Sequence, residues 1–341
     1  LTLSEELSAR SGFSTMNDAV LRNARVLVLQ VGTAPRGGSA HPCLSQALTV
    51  LPIASEAGPD VLTSAEWTLR SVTRLFASAP PGLVVASTDS LVLLPTALDW
   101  LELDARGTGA VIAVPMPLEE AIEHGVCTQA MTPSSATPRL ASVVYRGSRE
   151  RLSSLADASG SVPVYTGMIW FNAPTAFKLL ELHARPPLDA CTYIGIDSGA
   201  PSLALALHNE LLVPLCAGAT LETLLAQPAT EPGRSAAARK ILWASLRPPD
   251  ASSALALHVA PTGKYVYMRS TSALQRHLVS PPPLLFDGEA PTSAAAAEVA
   301  WTGARLTACH AHPSVVASVP EGSVAAATNC MFEGFVTLGS S

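Results

Sequence analysis

Four short apolar runs constrain the fold of this 341-residue chain more than any other feature. They are Arg25–Val31 (RVLVLQV), Gly82–Asp89 (GLVVASTD), Gly109–Pro115 (GAVIAVP) and Val162–Phe171 (VPVYTGMIWF). Each has the length of a strand and an apolar content that only a covered sheet accommodates. Segments of helical spacing separate or follow them. Ser64–Ala77 places Trp67, Leu69, Val72, Leu75 and Phe76 near a 3.6-residue period, with Ser64 able to cap its start. A helix is also expected from about Pro174 to Ala184, and others over Ser202–Leu212 and Ser235–Leu246. Leu255–Met268, with Pro261-Thr262-Gly263 in its middle, reads as a hairpin. Strands alternating with helices point to an α/β sheet, partly parallel.

Composition narrows the function. Hydrophobic residues make up 48% and charged residues 14%, enough for a sizeable core. A net charge of -6 offers no basic face for nucleic acid. Local phosphate pockets stay open, since they rest on backbone N–H groups and one or two cations. The greasiest region, Ser202–Ala226, is interrupted by His208, Asn209, Glu210 and Glu222, so no membrane span is expected. The first residue is Leu1 and no leader pattern follows it. Six scattered cysteines fit reduced thiols and a cytoplasmic location better than a disulfide frame. Cys309-His310-Ala311-His312 is the one cluster of metal-ligand type, but no second pair with ligand spacing is nearby, so it reads as a polar loop rather than a metal site.

The texture changes toward the C-terminus. Residues 281–310, opening on Pro281–Pro283, read as a linker. Beyond it Val324, Cys330 and Val336 recur every six residues among Gly322, Gly334 and Gly339. That spacing matches the first coils of a parallel β-helix over 311–341, or a frayed tail.

One stretch is too particular for a generic element: Arg185–Ala200, RPPLDACTYIGIDSGA. With LSARSGF (Leu7–Phe13), VVASTD (Val84–Asp89), EHGV (Glu123–Val126), VPVYTGMIWF (Val162–Phe171) and GKYVYMRSTSAL (Gly263–Leu274), it resembles the GDP-fucose pyrophosphorylase-like region of animal L-fucokinases, in the same order and over nearly the whole chain. The resemblance implies a nucleotidyltransferase-like, Rossmann-type mixed sheet over residues 1–280, a linker over 281–310 and the start of a left-handed parallel β-helix from 311. It also implies an initial strand before Leu1 and a GHMP-type kinase domain beyond Ser341. The implied ligands are GTP, GDP-fucose and fucose 1-phosphate, with Mg²⁺ as cofactor.

The resemblance also directs attention to particular residues. Asp89 ends an apolar strand, where ligands of open α/β sheets collect. In sugar nucleotidyltransferases an Asp at this place holds Mg²⁺; the alternative is a carboxylate that caps the next turn or helix. Active GDP-fucose pyrophosphorylases carry G-G-x-S-x-R-x-P after the first of these strands, then a Gly-Lys pair. Here Gly32 is kept, but the second Gly is Thr33, the Ser is Pro35, the Arg position is Gly37 and the pair is Ser45-Gln46. Arg36 alone remains near the right place. Animal fucokinases are similar in having a degenerate loop. His124-Gly125 could let a backbone approach sugar or base, or form a turn into a strand. Thr166-Gly167 could contact sugar, or lie packed under a helix. Asp189 and Asp197 could ligate a metal or cap a helix. Arg269 replaces the Gly of a family segment reading roughly H-F-G-T-S, as a phosphate contact or a loss.

Three classes of function follow. One is an active nucleotidyltransferase joining fucose 1-phosphate to GTP. Another is a domain of a fucokinase with a degenerate guanylyltransferase site, acting as scaffold or nucleotide-sugar sensor. A glycosyltransferase would want a second carboxylate at the metal, and Ser87-Thr88-Asp89 offers one.

Overall fold

The computed structural model describes residues 2–15, 17–31, 46–48, 50–54, 61–94, 98–100, 103, 107–131, 137–228 and 232–268, together with short strands between 304 and 337. In chain order the main elements are α1 (Thr2–Arg10), β1 (Arg25–Gln30), β2 (Val50–Ala54), β3 (Val61–Thr63), α2 (Ser64–Phe76), β4 (Gly82–Ser87), β5 (Ser90–Leu93), β6 (Gly109–Pro117), β7 (Gly125–Ala130), β8 (Arg139–Tyr145), β9 (Ser161–Asn172), α3 (Ala173–Glu181), α4 (Pro232–Leu246), β10 (Ala256–Val259) and β11 (Lys264–Tyr267). All four apolar runs are strands. They belong to one seven-stranded sheet of order β1-β4-β9-β6-β10-β8-β7, so the fold is a mixed α/β one.

The chain divides into two compact units. The larger comprises Leu1–Val28, Leu75–Ala86 and Leu94–Gly263. Within it β6 and β10 run parallel, with Ala256 opposite Ala110, while β9 runs antiparallel to β6. β7 pairs antiparallel with β8 and also reaches β9 at Val126–Val164. Strands β9, β6, β10, β8 and β7 therefore close a ring. Ring closure removes the free edges those strands would otherwise show. Val111, Ala113, Ile169 and Leu257 pack inside with Leu212, Leu215 and Leu242. Burying this apolar surface is the main stabilising term, roughly 25 cal/mol per Å² removed from water. Beside this core, Trp100 lies 4.8 Å from Phe76 and 5.3 Å from Trp170, and its indole N–H donates to Leu75 O at 3.3 Å.

Two expectations change here. Leu255–Met268 is not a hairpin: β10 lies between β6 and β8, whereas β11 pairs antiparallel with β5. The reason is apolar content. Leu255–Leu257 is fully buried and takes a central position, while Val266 and Met268 bury against Leu51 and Leu91. Ser202–Leu212 is not a helix throughout either. The chain runs irregularly to Ala206, then forms a π turn over Leu207–Leu212 and a 3₁₀ turn over Val213–Leu215. Glu210 explains the break, because its carboxylate accepts the Ala206 N–H at 2.7 Å and pairs with Arg239 at 2.6 Å.

The second unit comprises Leu29–Arg74, Ser87–Leu93 and Lys264–Ser341. It holds the β2–β3 and β5–β11 ladders and most of α2. Three parallel two-stranded ladders follow: Ala304–Thr307 with Ala325–Thr328, His310–Ala311 with Met331–Phe332, and Val316–Ser318 with Phe335–Thr337. The first of these strands lies inside the stretch expected as a linker. Among the described residues no helix is long and apolar enough to cross a membrane.

Candidate functional site

Asp89 occupies the two-residue turn Thr88–Asp89 between β4 and β5. Three bonds tie this turn to the end of β1. The Thr88 N–H donates to Gln30 O at 3.0 Å, and the Ser87 and Thr88 hydroxyls reach the same oxygen at 3.4 Å. The C-terminal ends of β1 and β4 are thus side by side, and Gly32 follows Gln30 by two positions. Gly32 and Arg36 themselves lie outside the described residues, as does Arg269.

The backbone around Asp89 is held from both sides. The buried hydroxyl of Ser64 donates to Thr88 O, and the Met268 N–H donates to Asp89 O at 2.7 Å. Thr68 in turn donates to Ser64 O at 2.9 Å. Ser64 therefore does not cap α2. Thr63 does, in a capping box: the Glu66 N–H donates to the Thr63 hydroxyl, and the Glu66 carboxylate accepts the Thr63 N–H at 2.8 Å. Bonds from the Thr63 N–H and hydroxyl hold the Glu66 carboxyl below its ordinary pKa.

The Asp89 side chain is half-buried and its carboxylate has no partner among the described residues. It caps none of their turns or helices. No group of three or more His, Cys, Asp or Glu capable of holding a metal occurs among the described residues. Asp89 thus fits a Mg²⁺ that draws most of its ligands from phosphate oxygens and water, the usual arrangement for that ion. Among the described residues it has no companions that would hold an ion by protein alone. Asp189 serves its own turn, its Oδ1 accepting the Ala190 N–H at 2.9 Å.

The remaining candidates belong to the larger unit, where the ring of strands brings them together. Val126 pairs antiparallel with Val164, which sets His124-Gly125 alongside Tyr165-Thr166. Burial pushes the half-buried His124 below its ordinary pKa of 6.5, and Glu123 and Glu120 oppose that shift. Gly125 is buried, and a Cβ on it would lie 2.7 Å from the ring of Tyr145. The missing side chain makes room for the Tyr145 ring. Partial burial raises the Tyr145 pKa above its ordinary 10.0, although 44% of the residue remains exposed.

Thr166 and Gly167 form a bulge in β9. Val111 faces Ile169 and Ala113 faces Tyr165, so Ile112 alone spans Thr166–Met168. The Thr166 hydroxyl donates to Ile112 O at 2.8 Å and replaces the lost ladder bond. Gly167 has φ +83, and no atom lies within 4 Å of a Cβ built on it. Its requirement is conformational; it is not packed under a helix. Bulges of this kind turn a strand and leave backbone groups free beside functional sites.

Sequence reasoning missed His208 and Asn209, on the π turn. The His208 ring lies 5.7 Å from Tyr145 and 5.1 Å from Tyr165, edge-on to the latter. Buried Cys127 and Cys216 are free thiols, and burial pushes Cys216 up to about 12. Neither is a nucleophile at neutral pH.

Comparison with known proteins adds a family. The model for the fucose pyrophosphorylase domain matches residues 18–340. No curated protein matches the chain. Similar solved structures include one described as mannose-1-phosphate geranyltransferase from Thermus thermophilus, at 15% identity and TM-score 0.28 over 77% of this chain. A UDP-glucose pyrophosphorylase from Acinetobacter baumannii follows at 11% identity and TM-score 0.29 over 60% of this chain. A UTP-bound UGPase from the same organism has 11% identity and TM-score 0.27 over 63% of this chain. The chain spans 65%, 53% and 55% of those three proteins.

Proposed function

This chain belongs to the fucose pyrophosphorylase domain family, and from that premise we propose that it binds a guanine nucleotide or GDP-fucose as the pyrophosphorylase-like part of an L-fucokinase-type enzyme of fucose salvage. The observation that carries the reading is the unpartnered Asp89 carboxylate, on a turn locked to the end of β1. A Mg²⁺ there would neutralise triphosphate charge. Asp89 supplies one anchoring oxygen, and Ser64 and Met268 keep its peptide in place. In this reading, on the strength of the family resemblance alone, Gly32 and Arg36 would be phosphate contacts and Arg269 a second cation. The parallel ladders from Ala304 onward are the first coils of the left-handed β-helix; the offset between paired residues is the same in the first two ladders.

In the family's reaction an oxygen of fucose 1-phosphate attacks the α-phosphorus of GTP, and the bond to pyrophosphate breaks. That step needs cations on the leaving group. The loop here has lost the Arg position to Gly37 and the Lys to Gln46. Loss of one preorganised group of this kind commonly lowers rate by about 10²–10³. Guanylyl transfer is therefore weak or absent, and with Asp89 kept for binding the domain serves as a nucleotide-sugar sensor or scaffold in the cytoplasm. The free Asp89 carboxylate favours a second reading, an active fucose-1-phosphate guanylyltransferase. A turnover assay with GTP, fucose 1-phosphate and Mg²⁺ separates the two. Pyrophosphate release abolished by Asp89→Asn selects the second.

A further inference from the structure

We propose that the larger unit carries a pocket for a small neutral polyol, between glycerol and a single sugar ring in size, walled by β8 and the π turn at Leu207–Leu212. The cavity measures about 130 Å³. At roughly 30 Å³ per water, that is room for about four waters. Its polar lining is Ser142, Tyr145, His208, Asn209, Thr223 and Gln227.

The lining chooses the ligand class. Among the described residues no Asp, Glu, Lys or Arg faces the cavity. A phosphate or nucleotide there would find no opposite charge to offset the water it gives up. Hydroxyls, carboxamides and an imidazole instead match the alternating donors and acceptors of a polyol. The Tyr145 ring adds an apolar face for its C–H groups.

The walls are built to stay in place. Gly125 admits the Tyr145 ring, as described above. The π turn is pinned by Glu210, whose carboxylate takes the Ala206 N–H at 2.7 Å and the buried Arg239 guanidinium at 2.6 Å. Arg239 also donates to Gln227 O at 2.7 Å and Pro228 O at 2.7 Å, which fixes the far wall. A π turn is rare, and this one stands outside any α-helix, between extended Ala206 and the 3₁₀ turn at Val213–Leu215. Asn209 sits on this one, half-buried, and its carboxamide has no partner among the described residues. By contrast the Gln227 amide already donates to Thr223 O at 3.1 Å. Asn209 is therefore the group with hydrogen bonds to offer.

This pocket stands independently of the nucleotide reading, because none of its residues belongs to the unit that holds Asp89. Saturation-transfer NMR on the full chain tests it, with L-fucose, D-glucose and glycerol as neutral probes and fucose 1-phosphate as a charged control. A neutral probe is expected to bind at millimolar concentration, no more weakly than the phosphate ester. Asn209→Ala should weaken that binding about tenfold, the worth of one good hydrogen bond. Ser142→Ala, on the opposite wall, should weaken it less than Asn209→Ala does, because the Ser142 hydroxyl is already bonded to that of Thr128 at 2.8 Å, with Tm unchanged in at least one of the two variants. Asp89→Asn and added GTP should leave it unaffected. The proposal is overturned if no neutral probe binds the folded protein. It is overturned equally if both variants bind like the parent, or if GTP displaces the probe.

Discussion

Glu210→Ala should remove a large share of the stability of the larger unit. The Glu210–Arg239 pair closes at 2.6 Å with side chains only 8% and 2% exposed. Arg239 has three further acceptors, the carbonyls of Leu225, Gln227 and Pro228. Truncating Glu210 leaves a buried guanidinium without its counter-charge and an Ala206 N–H without an acceptor. Breaking a buried pair from one side costs about 3–5 kcal/mol. Domains of this kind are stable by about 5–15 kcal/mol, so the loss approaches half of the total. The double variant Glu210→Leu/Arg239→Met should recover most of it, since apolar replacements of a buried pair are often neutral. Urea unfolding followed by tryptophan fluorescence gives the values, with the midpoint falling and the slope unchanged. A loss under about 1 kcal/mol in Glu210→Ala, or a double variant weaker than the single, would refute the argument that burial rather than mere contact sets the energy.

Three smaller predictions follow. Ser64→Ala should cost about 1–3 kcal/mol, because the buried Thr88 carbonyl loses its donor; chemical denaturation checks this, and Ser64→Thr should restore part of it. Gly125→Ala should cost about 1–3 kcal/mol by overpacking, with Tyr145 displaced in a difference NMR spectrum. His124 has its folded pKa depressed by burial, so between that value and 6.5 the unfolded chain binds a proton the folded chain does not. Its contribution is present above pH 6.5 and is lost as the pH falls below it, and His124→Gln should flatten the fall of Tm from pH 7 to 5.

Apolar runs were legible because burial in a covered sheet leaves no polar alternation to confuse the reading. β7 and β8 were not read. Gly125–Ala130 and Arg139–Tyr145 mix polar and apolar residues because each is covered unevenly around the ring. The hairpin over Leu255–Met268 failed for a different reason. Turn residues at 261–263 mark a change of direction, but the partner of each strand is settled by contacts far along the chain. Asp89 was visible through its place at a strand end. Ser64 before an apolar run fits a cap, but Thr63 with Glu66 takes that role and Ser64 serves the Thr88 carbonyl instead. His208 and Asn209 left no local signal, since a π turn depends on the distant Arg239.

Calorimetric titration of the chain with GTP and with GDP-fucose, each with and without Mg²⁺, tests the central claim most directly. Asp89→Asn is run in parallel, and circular dichroism establishes that it is folded. Binding of GTP that requires Mg²⁺ and disappears in Asp89→Asn is the predicted result. Binding of neither nucleotide by the folded protein, or binding that Asp89→Asn leaves intact, would contradict it.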